Sequence, residues 1–224
     1  MQDRIPAAAG ERADDWTLAA AQLKSVEEIE FLGAALFDCE CQETDCPTCN
    51  PLHPGEQRTR IEAVVAQNGP ALRVFDQGLV RGALQIPVAA PDLSHHCDLV
   101  QNLRGLIRLK ALQADLEQAN GNADAASTAL AQILDAGRLT MLGDGLLVDY
   151  LVGMAFVGVS ISAVEKLLQT RALCLEILRQ LRQATAAIDF ESFLARALQA
   201  EFAQWALPTI EHFDNLPKRC GARR

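Results

Sequence analysis

Leu99, Leu103, Leu106, Leu109, Leu112 and Leu116 recur every three or four residues, and the triplet Asn120-Gly121-Asn122 follows them directly. Side chains at that spacing fall on one side of an α-helix, so the stretch from near His96 forms one long helix with a continuous apolar stripe. Gly and Asn tolerate left-handed dihedrals, so the triplet ends it. A second helical pattern runs from Asp124 to about Leu139, with Ala126, Leu130, Ile133 and Leu134 on the face that turns back. So short a connection makes the two helices antiparallel neighbours.

The rest of the chain reads in the same way. Asp14 and Asp15 stand as N-cap candidates before a short helix to about Leu23, and Ser25 with Glu28 three residues on has the form of a capping box. That box opens a helix carrying Val26, Ile29, Leu32, Leu36 and Phe37. Residues 56–67 form a helix with Ile61, Val64 and Val65 inward; Asn68, Gly69 and Pro70 stop it and start the next, which runs to about Val80. The segment from Gly82 to Ser94 contains two Pro and no sustained period, so it reads as a long connection covering the helices. Leu146 to Leu168 and Ala172 to Ala184 read as a second hairpin, and Ile188 to Leu207 as a last helix closed by Pro208. The apolar half of the composition is mostly Leu and Ala, with only 5 % aromatic residues, which favours helix over strand. The expected fold is all-α: antiparallel helical hairpins packed as a bundle or a short α-solenoid. Residues 1–55 supply N-terminal helices and a Cys-rich loop, 56–217 the helical-hairpin domain, and 218–224 a basic tail.

A formal net charge of −9 argues against a nucleic-acid partner, because phosphate binding draws on clustered Lys and Arg. The groups Arg104, Arg108, Lys110 and Lys218, Arg219, Arg223, Arg224 read as solvated faces. No apolar stretch follows Met1 before Asp15, so no signal peptide is visible; the chain reads as cytoplasmic, or as starting after a removed anchor. Leu146 to Val164 is about long enough to cross a bilayer, but Asp149, Gly and Ser interrupt it, and a buried central helix is the expected reading.

Cys39, Cys41, Cys46 and Cys49 are the one constellation that composition would not produce. Paired thiolates can hold Zn²⁺ tetrahedrally, with His53 as a spare ligand, although one residue between Cys39 and Cys41 is tighter than usual. In an oxidising compartment the same residues form disulfides. Either would staple the loop, so Zn²⁺ is the only cofactor the residues suggest, and the choice stays open. Cys46-Pro47-Thr48-Cys49 lacks the βαβ setting of a thioredoxin-like redox motif. His95, His96 and Cys97 stand at the start of the long helix and read as half-exposed. Asp149 opens the apolar helix, either as a partly exposed first-turn acid or as a polar lining group. Glu201, Trp205 and His212 could border a groove, with surface decoration the plainer reading. No phosphate loop, Gly-x-Ser-x-Gly or His-Glu-x-x-His occurs, so catalysis has no positive support.

The segment ALQADLEQANGNADAASTALAQILDAGR, residues 111–138, resembles a single tetratricopeptide-type hairpin, with Gly121 at the turn and Ala126 as the small residue that lets the helices approach. Ala114 stands where that pattern has Gly, Leu130 replaces an aromatic, and no copy recurs about 34 residues on. More widely, residues 103–168 resemble a group of uncharacterised bacterial helical-hairpin proteins: a helix ending in Gly, an Ala-rich partner, an Arg-Leu pair, and an apolar helix opening on Leu-Val-Asp. Many of these are tethered by an N-terminal membrane helix, so the resemblance implies a cell-envelope or secreted location and a tether outside this sequence. It implies no catalytic residue. The expected function is a helical scaffold that binds a protein or peptide partner. The alternative is a ligand-binding or hydrolytic domain using Asp149 with His95 and His96.

Overall fold

A computed structural model describes residues 18–19, 21–37, 54–81, 93–142, 147–170 and 175–207. The cysteine segment, the connection 82–92 and the basic tail lie outside the described residues. The described chain is helical and contains no strand: α1 (Val26–Phe37), α2 (Pro54–Gln67), α3 (Gly69–Arg81), α4 (Leu93–Ala119), α5 (Ala123–Leu142), α6 (Leu147–Thr170), α7 (Leu175–Ala186) and α8 (Phe190–Glu201), the last continuing into a π-helical turn, Phe202–Ala206.

The stripe of α4 is buried as its spacing requires, with Leu103, Leu106, Leu109 and Leu112 at most 1 % exposed. The helix ends in a Schellman motif: Gly121 has φ 85°, the Gly121 N–H donates to the Gln118 carbonyl at 2.9 Å, and the Asn122 N–H to that of Glu117 at 2.8 Å. The chain then reverses into α5, which buries Ala126, Leu130, Ile133 and Leu134. Helix α5 packs against α3, α4, α6, α7 and α8. One helix surrounded by five is the arrangement of a bundle, whereas in a solenoid each unit touches only its neighbours. Among the described residues α6 and α7 do not pack together as the expected second hairpin: α7 packs on α5, and it is α8 that covers α6.

Helices α1 and α2 add a second layer on α4. Ile29, Leu32, Ile61, Val64 and Leu72 close over Leu109 and Leu112. The turn that enters this layer is built differently from a capping box. Ser25 has φ 56°, its hydroxyl donates to Gln67 Oε1 at 3.2 Å, and Glu28 turns away to accept two bonds from Arg60 at 2.6 Å each. The bidentate ion pair outcompetes the reciprocal cap because charge-assisted bonds are the stronger. Asn68 holds the turn from across the layer. At 1 % exposure, its Oδ1 accepts the Lys24 N–H at 2.7 Å, while Nδ2 donates to the carbonyls of Lys24 at 3.1 Å and Val64 at 2.9 Å. Replacing Asn68 by alanine strands these backbone groups and is expected to destabilise the protein by about 2 kcal/mol. A urea midpoint equal to that of the wild type would show that the turn does not depend on this side chain.

Helices α5 and α6 meet at two glycines. A Cβ on Gly153 would lie 2.5 Å from Met141 Cγ and 2.7 Å from the Gly137 carbonyl oxygen; one on Gly137 would lie 2.8 Å from that of Gly153. The backbones therefore touch, and the Ser160 hydroxyl adds a bond to the Leu130 carbonyl at 3.0 Å. Helix α6 is long and apolar enough to cross a membrane by length and composition, yet less than half of that stretch is buried. It is not the central helix its composition suggests. One face packs on α1, α4, α5 and α8, the other exposes Leu151, Met154, Ile161 and Leu168, and it is α5 that takes the centre.

Candidate functional site

The basic residues of α4 are not the solvated face that their clustering predicts. Lys110 is 3 % exposed, and its Nζ donates to both Asp76 carboxylate oxygens, at 2.8 and 3.0 Å, tying α4 to α3. Arg108 is largely buried and pairs with Glu30 of α1. Its stem passes so close to Gly33 that a Cβ there would lie 2.9 Å from Arg108 Cδ. Burial pushes the Arg108 guanidinium below its ordinary pKa, although an arginine stays charged in a protein. Arg104 differs from both: it is half-buried, and it donates to Gln101 of its own helix at 3.3 Å. No carboxylate among the described residues pairs with it.

Arg104 and Arg108 border a cleft of about 250 Å³ between α4 and α6. Ile107 completes the α4 wall, and Phe156, Val159, Gly158 and Ser162 line the α6 side. Phe156 is 1 % exposed, so it forms the packed floor of the cleft. Nothing lies within 4 Å of where a Cβ on Gly158 would stand, so this glycine, unlike Gly137 and Gly153, has no packing reason to lack a side chain.

The other distinctive surface is apolar. Helix α6 exposes Leu151, Met154, Ile161 and Leu168; α8 exposes Phe190, Leu194 and Leu198, and the π-helical turn that continues it exposes Phe202, a residue every four positions. The two helices pack together, with Phe193 and Ala197 of α8 buried at the contact side. Glu201 accepts the Leu147 N–H at 3.2 Å, so the end of α8 caps the start of α6. Leu151 and Leu198 each lie about one helical turn from that bond. The opposite end of α8 is fixed by Asp189, which accepts from the Ser192 N–H at 3.1 Å and the Ser192 hydroxyl at 2.7 Å. These bonds hold the Asp189 carboxyl below its usual range.

The residues singled out by sequence fall on both sides of the described structure. Asp149 sits in the first turn of α6, but at 2 % exposure it is buried and not the partly exposed acid expected of a helix start. It makes an interaction of its own, and the neighbouring acid, Glu201, serves as a cap instead of bordering a groove. Cys39, Cys41, Cys46, Cys49, His53 and His212 lie outside the described residues. His95, His96 and Cys97 fall in the first turns of α4, and their side chains and that of Trp205 are also outside what is described. Among the described residues no three His, Cys, Asp or Glu side chains converge as a metal site. Sequence reasoning passed over the α8 face, although the spacing of Phe190, Leu194, Leu198 and Phe202 was there to see, and over Gly158, whose signal was a glycine inside a helix with no turn to make.

No protein-family model, curated protein or solved structure matches this chain.

Proposed function

We propose that this protein is a helical scaffold whose α6–α8 face docks an apolar helix of a protein partner. The observation that carries this reading is the pair of exposed apolar stripes on two helices that pack together. Large side chains at helical spacing on a charged, water-facing bundle mark an interaction surface. An amphipathic helix would lay its own apolar positions along them.

A lipid surface fits less well. Interfacial helices flank their apolar face with Lys and Arg, whereas here exposed Glu165 lies within the α6 stripe, Glu191 borders the α8 stripe, and the chain carries a net charge of −9. The scaffold reading agrees with the resemblance of residues 103–168 to tethered bacterial hairpin proteins, whose cell-envelope setting we carry over as part of the proposal.

The test compares the wild type with Leu198→Glu and Met154→Glu, both at exposed positions where the fold should tolerate a charge. A defined partner retained by the wild type is expected to be lost from both variants while their melting temperatures stay within a few degrees of the wild type. Retention by both variants would overturn the proposal. So would turnover of a small-molecule substrate that Asp149→Asn abolishes with folding intact, which would favour the hydrolytic alternative.

A further inference from the structure

We infer that the cleft between α4 and α6 binds a small organic carboxylate with an apolar body, the carboxylate meeting Arg104. The inference is independent of the α6–α8 docking face.

The charges at the cleft are unequally matched. Arg108 is neutralised by Glu30, whereas Arg104 has only the neutral amide of Gln101 among its described partners. One unmatched guanidinium suits one monoanion, and its planar fork fits a carboxylate through two parallel bonds. A dianionic phosphate would need further donors to replace its hydration. Around the arginines Ala155 and Val159 present apolar surface above a floor of buried Ile107 and Phe156, and Ser162 adds a hydroxyl. An anion alone would gain nothing from those walls; an aliphatic or aromatic body buries surface against them. The volume of about 250 Å³ falls just below the roughly 300–1,000 Å³ of pockets for drug-sized ligands. The ligand is therefore a small acid and not a nucleotide or a large cofactor.

Gly158 is the second, independent observation. A glycine inside a helix is destabilising relative to alanine, and a Cβ at this position would clash with nothing. Its small size is explained if the space beside it is kept for a ligand.

The experiment is calorimetric titration of the full chain with sodium octanoate, octan-1-ol and inorganic phosphate as separate probes, repeated on Arg104→Gln and Gly158→Leu. Octanoate is expected to bind saturably at one site, with octanol at least about tenfold weaker because it forfeits a hydrogen bond between charged groups worth about 1.5–3 kcal/mol, and phosphate also at least about tenfold weaker because it has no apolar body to bury. Arg104→Gln is expected to lower octanoate affinity by a similar factor. Gly158→Leu fills the cleft and is expected to abolish binding while leaving the melting temperature unchanged or higher, which separates a blocked site from a misfolded protein. The inference is overturned if octanoate does not bind, if octanol binds equally well, if phosphate binds as tightly as octanoate, or if Gly158→Leu retains wild-type affinity.

Discussion

Replacing Leu106 by alanine is expected to lower the stability of the bundle by about 2–5 kcal/mol, in the upper half of that range. Leu106 is 0 % exposed and belongs to the core that also contains Phe75, Leu130, Ile133 and Phe156. The substitution removes three buried carbons and leaves a void whose cost depends on how far the surroundings can close over it. They can close very little, because α4 is held from several sides at once: α1, α2, α3, α5 and α6 all pack on it. Its position along the axis is further pinned by the Lys110–Asp76 and Arg108–Glu30 pairs. Urea unfolding is the measurement, with a lower midpoint at an unchanged slope as the expected result. An unshifted midpoint would show that α4 is not the spine of the core.

The second large effect is expected at Gly153. Alanine is the better helix former, so on propensity alone Gly153→Ala should stabilise α6 by up to about 1 kcal/mol. The structure predicts the opposite sign. The new methyl would stand 2.7 Å from the Gly137 carbonyl oxygen, a backbone atom that cannot rotate away, and 2.5 Å from Met141 Cγ. Relieving the clash means separating α5 from α6 along their whole contact, so the expected loss is about 3 kcal/mol, at the top of the usual range for overpacking. Gly158→Ala, five residues further along the same helix, is the internal control: with open space at its Cβ it is expected to gain about 0.5–1 kcal/mol. Equal effects at the two positions would show that the helices do not touch through Gly137 and Gly153.

What could be read from the sequence was what a single segment decides for itself. The Leu stripe of α4, the turn at Gly121 and the inward face of α5 follow from periodicity and dihedral preference, and all three stand as expected. What could not be read depends on which neighbour arrives. Glu28 is placed for a capping box, but Arg60 from another helix takes its carboxylate. Lys110 looks like a surface lysine until Asp76 is brought opposite it. Gly137 and Gly153, 16 positions apart in sequence, look like weaknesses in two separate helices until the crossing joins them. The site divides along the same line. Asp149 was visible as an acid in an apolar helix, but its burial depended on how α6 packs. The cleft depends on the α4–α6 approach, so Arg104 carried no signal of its own, and Gly158 only that of a glycine inside a helix with no turn to make.

The claim that the α6–α8 face docks a partner helix is tested most directly by a photoreactive amino acid placed at Leu198, with a second at Ala63 on α2, an exposed position on a helix with no contact to α6 or α8 among the described residues. Irradiated in the native cell, the Leu198 probe is expected to give one discrete adduct, mapping to a helix of another protein, and the Ala63 probe none. The absence of any adduct at Leu198, the same adducts from both positions, or an adduct only with a second copy of this chain would contradict it.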